Sequence, residues 1–398
     1  MHGFLRRILM PILIVALPIA AMIAYTLHYQ KSQRQKTAPP AIVSPKFGAA
    51  DWPCFRGDAA QTGVADGQLP DKLTVAWKFR AADAVKSTPV VGGDKVFIAS
   101  ADKKIYALSL KTGKVIWSYA ANDAFEAAPL VLDNIIIAGS QDGILYAWNT
   151  ENGQCLWTYK AGGKITGSVN FRRKAPEKTE IFFGCYDGQF TCLDAKTGQK
   201  KWTYAAQSYI NGSPAVWENI AVFGSCDAKL YIVPLDDPNS TITFDSGSYI
   251  AASPAVLDGK VYFGNFEGQF FCADIKTGHE VWAYRQGTEA FFSSPAVDEK
   301  HVIVGNRDKK VYCFDAADGK LLWTFSTGDA ADSSPVICGD KVLAASNDGK
   351  LYMLTASTGK VVWSFDTASP ISSGPAIANN HILIACDDGF VYAFTAAQ

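Results

Sequence analysis

The 398-residue chain has nine cysteines but no CxxC and no adjacent cysteine pair, so the usual spacings of zinc and dithiol motifs are missing. It has only five histidines. His2 and His28 flank a long apolar run, while His279, His301 and His381 fall in or beside turns of three different repeats, so spacing groups none of them as metal ligands. There is no Gly-rich phosphate loop and no nucleophile motif. An excess of positive charge is also lacking. The 37 Lys and Arg face 38 Asp and Glu, and once the five basic residues of 1–36 are set aside the balance is 32 to 38. Nucleic acid needs a basic stripe to neutralise phosphates, so it is not an expected partner. No catalytic residue, metal or cofactor is expected from motifs.

What the chain does have is apolar and aromatic material, 48% and 12% of residues, enough to bury a large core. Near the start, Arg6 and Arg7 precede residues 8–27, twenty positions without a charge, long enough to cross a bilayer. Pro11 and Pro18 are tolerable in a membrane helix. A cleaved signal would show a shorter run with a small-x-small site. Ile19 to Ala21 is a poor candidate for one, and no lipobox cysteine follows. Residues 1–36 are therefore expected to be an uncleaved single-pass anchor in the cytoplasmic membrane, with the rest on the periplasmic or extracytoplasmic side. The positive-inside count is nearly tied, with Arg6 and Arg7 facing Lys31, Arg34 and Lys36. Residues 28–72 are polar at first and rich in Pro and Ala from Lys36 to Pro45, and 37–72 are expected to form a linker and capping segment.

From residue 73 a pattern repeats. A Trp or Phe recurs at Trp77, Trp117, Trp157, Trp202, Phe244, Trp282, Trp323 and Trp363, and a Ser/Ala-rich box recurs around Pro89, Pro129, Val169, Pro214, Pro254, Pro295, Pro335 and Pro375. The spacing is about 41 residues, a propeller-like period. Each copy contains four short β-branched and aromatic runs bounded by turn residues, as in Pro89 to Val91, Lys95 to Ser100, Lys104 to Ser109 and Lys114 to Tyr119. Four such runs make one four-stranded blade. The expected fold is an all-β, eight-bladed, monomeric β-propeller over 73–398. The last copy ends after its third run, while Leu73 to Arg80 is a Trp-bearing run without a blade, so it should complete the last blade and remove two open edges. Cys192, Cys272 and Cys313 share one repeat position with Ala107, Ala147, Met353 and Ala393, which reads as buried core.

The third-to-fourth connection reads Ala107-Leu-Ser-Leu-Lys-Thr112-Gly113-Lys-Val-Ile-Trp117, and its relatives include Cys192-Leu-Asp194-Ala-Lys-Thr197-Gly198-Gln-Lys-Lys-Trp202 and Cys272-Ala-Asp274-Ile-Lys-Thr277-Gly278-His-Glu-Val-Trp282. This resembles the tryptophan-docking motif of pyrroloquinoline-quinone-like repeats, the propellers similar to quinoprotein alcohol dehydrogenases. The resemblance implies a tight-turn role for Gly113, Gly153, Gly198, Gly278, Gly319 and Gly359. It also implies that Trp77, Trp117, Trp157, Trp202, Trp282, Trp323 and Trp363 clamp neighbouring blades. Copy four departs, with Pro234-Leu-Asp-Asp-Pro-Asn-Ser240 for the Thr-Gly turn and Phe244 for the Trp, and copy eight is split. Trp52-Pro-Cys-Phe55-Arg56-Gly57 is similar to a W-x-x-F-R-G box that precedes such propellers and is expected to cap the ring.

The family divides into dehydrogenases, with a quinone on the axis, calcium, a carboxylate base and commonly a vicinal disulfide, and non-catalytic members, among them a lipoprotein of the outer-membrane barrel assembly machinery. Here there is no vicinal pair and little inserted material. The resemblance then implies a non-enzymatic scaffold without a cofactor that binds other envelope proteins. The alternatives are a quinone- or small-ligand-binding propeller and a glycan-binding module. Two rings of residues should share one face. Asp102, Asp142, Asp187, Asp227, Glu267, Asp308, Asp348 and Asp388 read either as hairpin-turn residues or as a negative collar. Phe125, Tyr209, Ile210, Tyr249, Ile250, Phe291 and Phe292 precede the inner strands, partly as core and partly as a candidate partner surface. Phe125, Tyr209, Tyr249, Phe291 and Phe292 are the residues expected to form that surface. The charged hairpin Arg172 to Glu180 should be solvated on the opposite face.

Overall fold

The computed structural model describes residues 51–175 and 178–397. The expected membrane segment 8–27 lies outside them, and among the described residues no helix is long and apolar enough to cross a membrane. Eight sheets follow one another around a ring, seven of four antiparallel strands and one, blade 7, that adds the short parallel strand Val64–Ala65 to its four, giving an all-β, eight-bladed propeller. Blade 1 consists of Val90–Gly92, Lys95–Ala99, Lys104–Ser109 and Val115–Ala120. Each strand pairs with the next through a short hairpin. In the two middle strands Val96 to Ala99 and Ile105 to Leu108 are buried on successive positions, because each blade is sandwiched between two others and both faces of the sheet are core. The outer strand alternates exposed and half-buried residues, as in Lys200–Ala205. The ring closes as Leu73–Arg80 pairs with Phe390–Ala396 of blade 8, from Leu73 opposite Ala396 to Arg80 opposite Phe390.

The clamps between blades are built from the outer strands. In blade 1 the register shifts between Ala107 and Leu108, next to Trp117, a bulge that re-aims the ring sideways. The indole N–H then donates to a carbonyl in the turn of the following blade. Trp77 reaches Leu110 O at 2.7 Å, Trp117 reaches Thr150 O at 2.9 Å, Trp157 reaches Ala195 O at 3.2 Å, Trp282 reaches Ala316 O at 3.2 Å and Trp323 reaches Ala356 O at 2.8 Å. The glycine of each receiving turn has positive φ, and at Gly113, Gly153, Gly198, Gly319 and Gly359 a Cβ would strike that same indole. Glycine is thus required twice, for the turn and for the ring lying on it. Gly278 faces Ile242 instead, because blade 4 offers Phe244 and pairs Lys229–Pro234 with Ile242–Asp245 without a bulge. Among the described residues Trp202 and Trp363 make no indole hydrogen bond, for the blades that would receive them lack the Thr-Gly turn.

At the junction of blades 3 and 4 ion pairs replace the clamp. The departing turn of blade 4 carries Asp236, which receives Arg172 at 3.0 Å and Lys174 at 2.8 Å. Arg172, 3% exposed, also pairs with Glu180, 6% exposed, which binds Lys201 at 3.1 Å. Burial would raise the Glu180 pKa, but hydrogen bonding and charge from Arg172, with help from Lys201 and Lys174, outweigh it and hold the carboxylate below its ordinary value. The expected solvated loop is therefore corrected at its base: Arg172 and Glu180 are buried seam residues, because blade 4's irregular turn supplies an acid to meet them.

Candidate functional site: the funnel face

The loops entering the inner strands and the second-to-third hairpins meet on one face around a funnel. Its walls are small. Serine and threonine at the starts of inner strands form a belt in which a backbone N–H of one blade donates to the hydroxyl of the next: Ser168 to Ser213 and Ser213 to Ser253 at 2.8 Å, Ser253 to Ser294 at 3.1 Å, Ser294 to Ser334 at 3.0 Å, and Gly374 to Thr88 at 3.1 Å. The floor is Phe55. Behind it residues 52–65 run across the ring and bond to inner strands from blade 1 to blade 7. The space left measures about 180 Å³, below the roughly 300–1,000 Å³ of ordinary small-molecule sites. Among the described residues no group of three or more His, Cys, Asp and Glu could hold a metal ion. The lining is mostly hydroxyls and small side chains, with Glu126 and Asp332 as its carboxylates and Lys86 beside them, and residues 52–65 cross the ring behind Phe55.

The five expected surface residues separate. Phe125 and Phe291 are 0% and 1% exposed and belong to blade cores. This corrects their assignment to a partner surface. At this loop position the side chain turns between blades, where it covers the end of the preceding blade's second strand. A Cβ on Gly264 would overlap Phe291, and Gly139, Gly184 and Gly224 stand in the same relation to Ile165, Ile210 and Ile250. Tyr209 and Tyr249 are 54% and 56% exposed, and Phe292 is half-buried at the funnel mouth.

Three further residues join them from the second-to-third hairpins, unforeseen in the sequence. Tyr186 stacks on Tyr209 with centroids 5.2 Å apart and planes 13° apart. Phe266, 46% exposed, sits edge-on to both Tyr249 and Phe292, at 6.3 and 5.6 Å. Arg307 lies 3.6 Å above the Phe292 ring and pairs with Asp332 at 3.0 Å, a cation–π contact closed by an ion pair. The signal for them was position, since each directly precedes a member of the acidic ring. These residues form two aromatic clusters, Tyr186 with Tyr209 and Tyr249 with Phe266, Phe292 and Arg307, along an arc over blades 3 to 6.

The acidic ring serves the turns. Asp102, Asp142, Asp187, Asp227, Asp348 and Asp388 each accept the backbone N–H two residues on. Asp102, Asp227, Asp308 and Asp348 also receive a tyrosine hydroxyl, at 2.5 Å from Tyr106 and 2.6 Å from Tyr231, Tyr312 and Tyr352. Burial, then the carboxylate, pushes these phenols above their ordinary pKa. Turn capping accounts for most of the ring.

All nine cysteines are free. Cys192, Cys272 and Cys313 face Trp202, Trp282 and Trp323 across the outer strand pair, and burial pushes the Cys192 and Cys272 thiols up to about 12, which makes them inert.

Several solved structures share the fold. A computationally designed propeller, Ika8, is 19% identical, with a TM-score of 0.70 over 81% of this chain and 99% of its own. BamB from Moraxella catarrhalis is 19% identical, with a TM-score of 0.67 over 82% and 98%. The quinohemoprotein alcohol dehydrogenase of Comamonas testosteroni is 14% identical, with a TM-score of 0.74 over 88% and 81%. At these identities the likeness is one of fold. No curated protein matches the sequence. A family model does, over residues 70–284, 216–370 and 307–398, so that the repeats and their tryptophan clamps fall within it, and the chain belongs to the family described as outer membrane protein assembly factor BamB.

Proposed function

We propose that this chain is a non-enzymatic scaffold of the cell envelope that docks protein partners on the aromatic arc of its funnel face, with residues 8–27 as its anchor in the cytoplasmic membrane and the propeller outside. The observation that carries this reading is the arc itself. Tyr209, Tyr249 and Phe266 are about half exposed and lie in two aromatic clusters on one face, Tyr209 with Tyr186 and Tyr249 with Phe266 and Phe292, and exposed aromatic clusters are the usual anchors of protein interfaces. The family description, an assembly factor, agrees with a role in holding other proteins. The small funnel, crossed by residues 52–65, speaks against the dehydrogenase reading suggested by the likeness to quinohemoprotein alcohol dehydrogenase.

Titration of the purified chain with pyrroloquinoline quinone and calcium tests the choice, with tryptophan fluorescence and alcohol oxidation as readouts. The scaffold predicts no saturable quenching at micromolar quinone and no oxidation. Quinone-dependent oxidation would overturn it. The topology is tested by adding protease to cells with an opened outer envelope: an outward propeller is degraded there, and an inward one survives.

A further inference from the structure

We infer that the inner edges of blades 1 to 7 form a binding site for a turned peptide of the type Trp-x-x-Phe-Arg-Gly, filled here by the chain's own residues 52–63, whose backbone has positive φ at Arg56, Gly57, Gln61 and Gly63. Apart from blade 7, where Val64–Ala65 pairs in parallel with Val336–Cys338, the inner strand of a blade has no fifth strand beyond it, so its outward N–H groups point into the channel. One such group per blade, at one repeat position, is met by successive carbonyls of this segment. Val91 donates to Trp52 O at 2.8 Å, Val131 to Pro53 O at 2.7 Å, Val216 to Ala59 O at 2.6 Å, Val256 to Ala60 O at 2.8 Å, Val297 to Thr62 O at 2.8 Å and Ile337 to Gly63 O at 2.9 Å. In blade 3 the side chain of Asn170 takes over: its Oδ1 accepts the Phe171 N–H and its Nδ2 donates to Ala59 O, both at 2.7 Å. A segment of twelve residues thus visits seven blades in chain order.

The side chains of the box have their own sockets. Trp52 and Arg56 are each 2% exposed. Trp52 lies against Gly57, where a Cβ would strike its ring, and the Arg56 guanidinium lies on Gly63 and donates to Pro295 O at 2.9 Å. Gln61 donates to Pro214 O at 2.7 Å, and Asp58 ties the turn by accepting from Thr62. Trp52 on Gly57, Arg56 on Gly63 and Thr62 on Asp58 hold the segment's own turned shape, while Arg56, Gln61 and the inner-strand N–H groups hold it to the ring. The segment lies ahead of the residues matched by the family model, which begin at 70. It enters beside the first hairpin of blade 1, where Gly93 N–H donates to Asp51, and leaves along Val336–Cys338 of blade 7. The strand that completes blade 8 begins only at Leu73. Segment and ring are joined through an exposed stretch, Asp66 to Gln68, which touches blade 7 where Cys338 Sγ meets Asp66 O at 3.6 Å and Gln68 lies on Gly339, and a cut after Gly67 leaves every blade strand whole.

A protease site inserted after Gly67 in the full chain, with a label before residue 51, tests the site. After cleavage the labelled fragment should co-elute with a folded ring and exchange slowly with excess unlabelled peptide spanning residues 51–66. Trp52→Ala or Gly63→Ala should speed that release by about tenfold or more, as expected for loss of one buried anchor. Immediate loss of the fragment from a ring that stays folded would overturn the inference. So would unfolding of the ring in step with release, which would make the segment part of the core.

Discussion

The two halves of the funnel face are built on the same repeat yet present different chemistry. Over blades 3 to 6 the variable loop positions carry Tyr186, Tyr209, Tyr249, Phe266 and Phe292, while over blades 7, 8, 1 and 2 the same loops carry Asp329, Asp332, Asp387, Asp83, Asp123 and Glu126. Beneath both, the invariant part of the loop is buried apolar: Val85, Phe125, Ile165, Ile210, Ile250, Phe291, Ala331 and Ile371. The repeat therefore fixes one core position per loop and leaves its neighbours free. The difference between the arcs lies wholly in those free positions, which is where a partner would be selected.

Adjacent phenylalanines give the largest contrast. Phe291→Ala should cost about 3–5 kcal/mol of stability, as for other large-to-small core changes, whereas Phe292→Ala, which loses mainly the Arg307 contact, should cost about 1 kcal/mol or less. Chemical denaturation of the two variants would check this, and equal losses would erase the distinction between core and rim. In partner binding the order reverses. Replacing Tyr209, Tyr249 and Phe266 together by alanine should weaken binding by about 100-fold at any salt concentration, since buried aromatic anchors carry most interface energy. Replacing Asp83, Asp329 and Asp387 by asparagine should change it only severalfold, mainly in on-rate and with a salt dependence.

The smallest effect concerns the ring under each arc. Blades 7 to 2 are joined partly by indole clamps, whereas the junction of blades 3 and 4 depends on Arg172, Glu180 and Asp236. Glu180 has its pKa lowered in the folded chain, so its contribution is complete above the unfolded value of about 4.3 and is lost as pH falls through the folded value. Hydrogen exchange at falling pH should open strands Lys200–Ala205 and Ile242–Asp245 before Val115–Ala120, and Glu180→Gln should open the same two strands first already at neutral pH, with the pH dependence gone.

Much of the ring was legible in the sequence because its determinants repeat: the tryptophan, its receiving glycine and the Ser/Ala box each have one job in nearly every blade, and the unpaired strand Leu73–Arg80 showed where the ring closes. The rim was legible only in part. Phe125 and Phe291 read as surface because loops are ordinarily wet, yet alignment of the eight loops would have shown an apolar residue in every copy at that position, the mark of core. Tyr186, Phe266 and Arg307 occupy a hairpin position held elsewhere by Ala101, Gln141 and Cys226, and no local pattern announces that such tips lean toward the neighbouring loop. The burial of Arg172 and Glu180 depends on Asp236, some sixty residues away in the one turn that breaks the motif.

The docking role is tested most directly by placing a photo-crosslinking residue, one at a time, at Tyr209, Tyr249, Asp83, Asp387 and Val115 of the full chain in its native membrane. The scaffold account predicts one and the same protein captured from Tyr209 and Tyr249, lost when Phe266→Ala is added, with little captured from the acidic arc and none from Val115 on the outer strand. Equal capture from all five positions, or none from the aromatic arc, would contradict it.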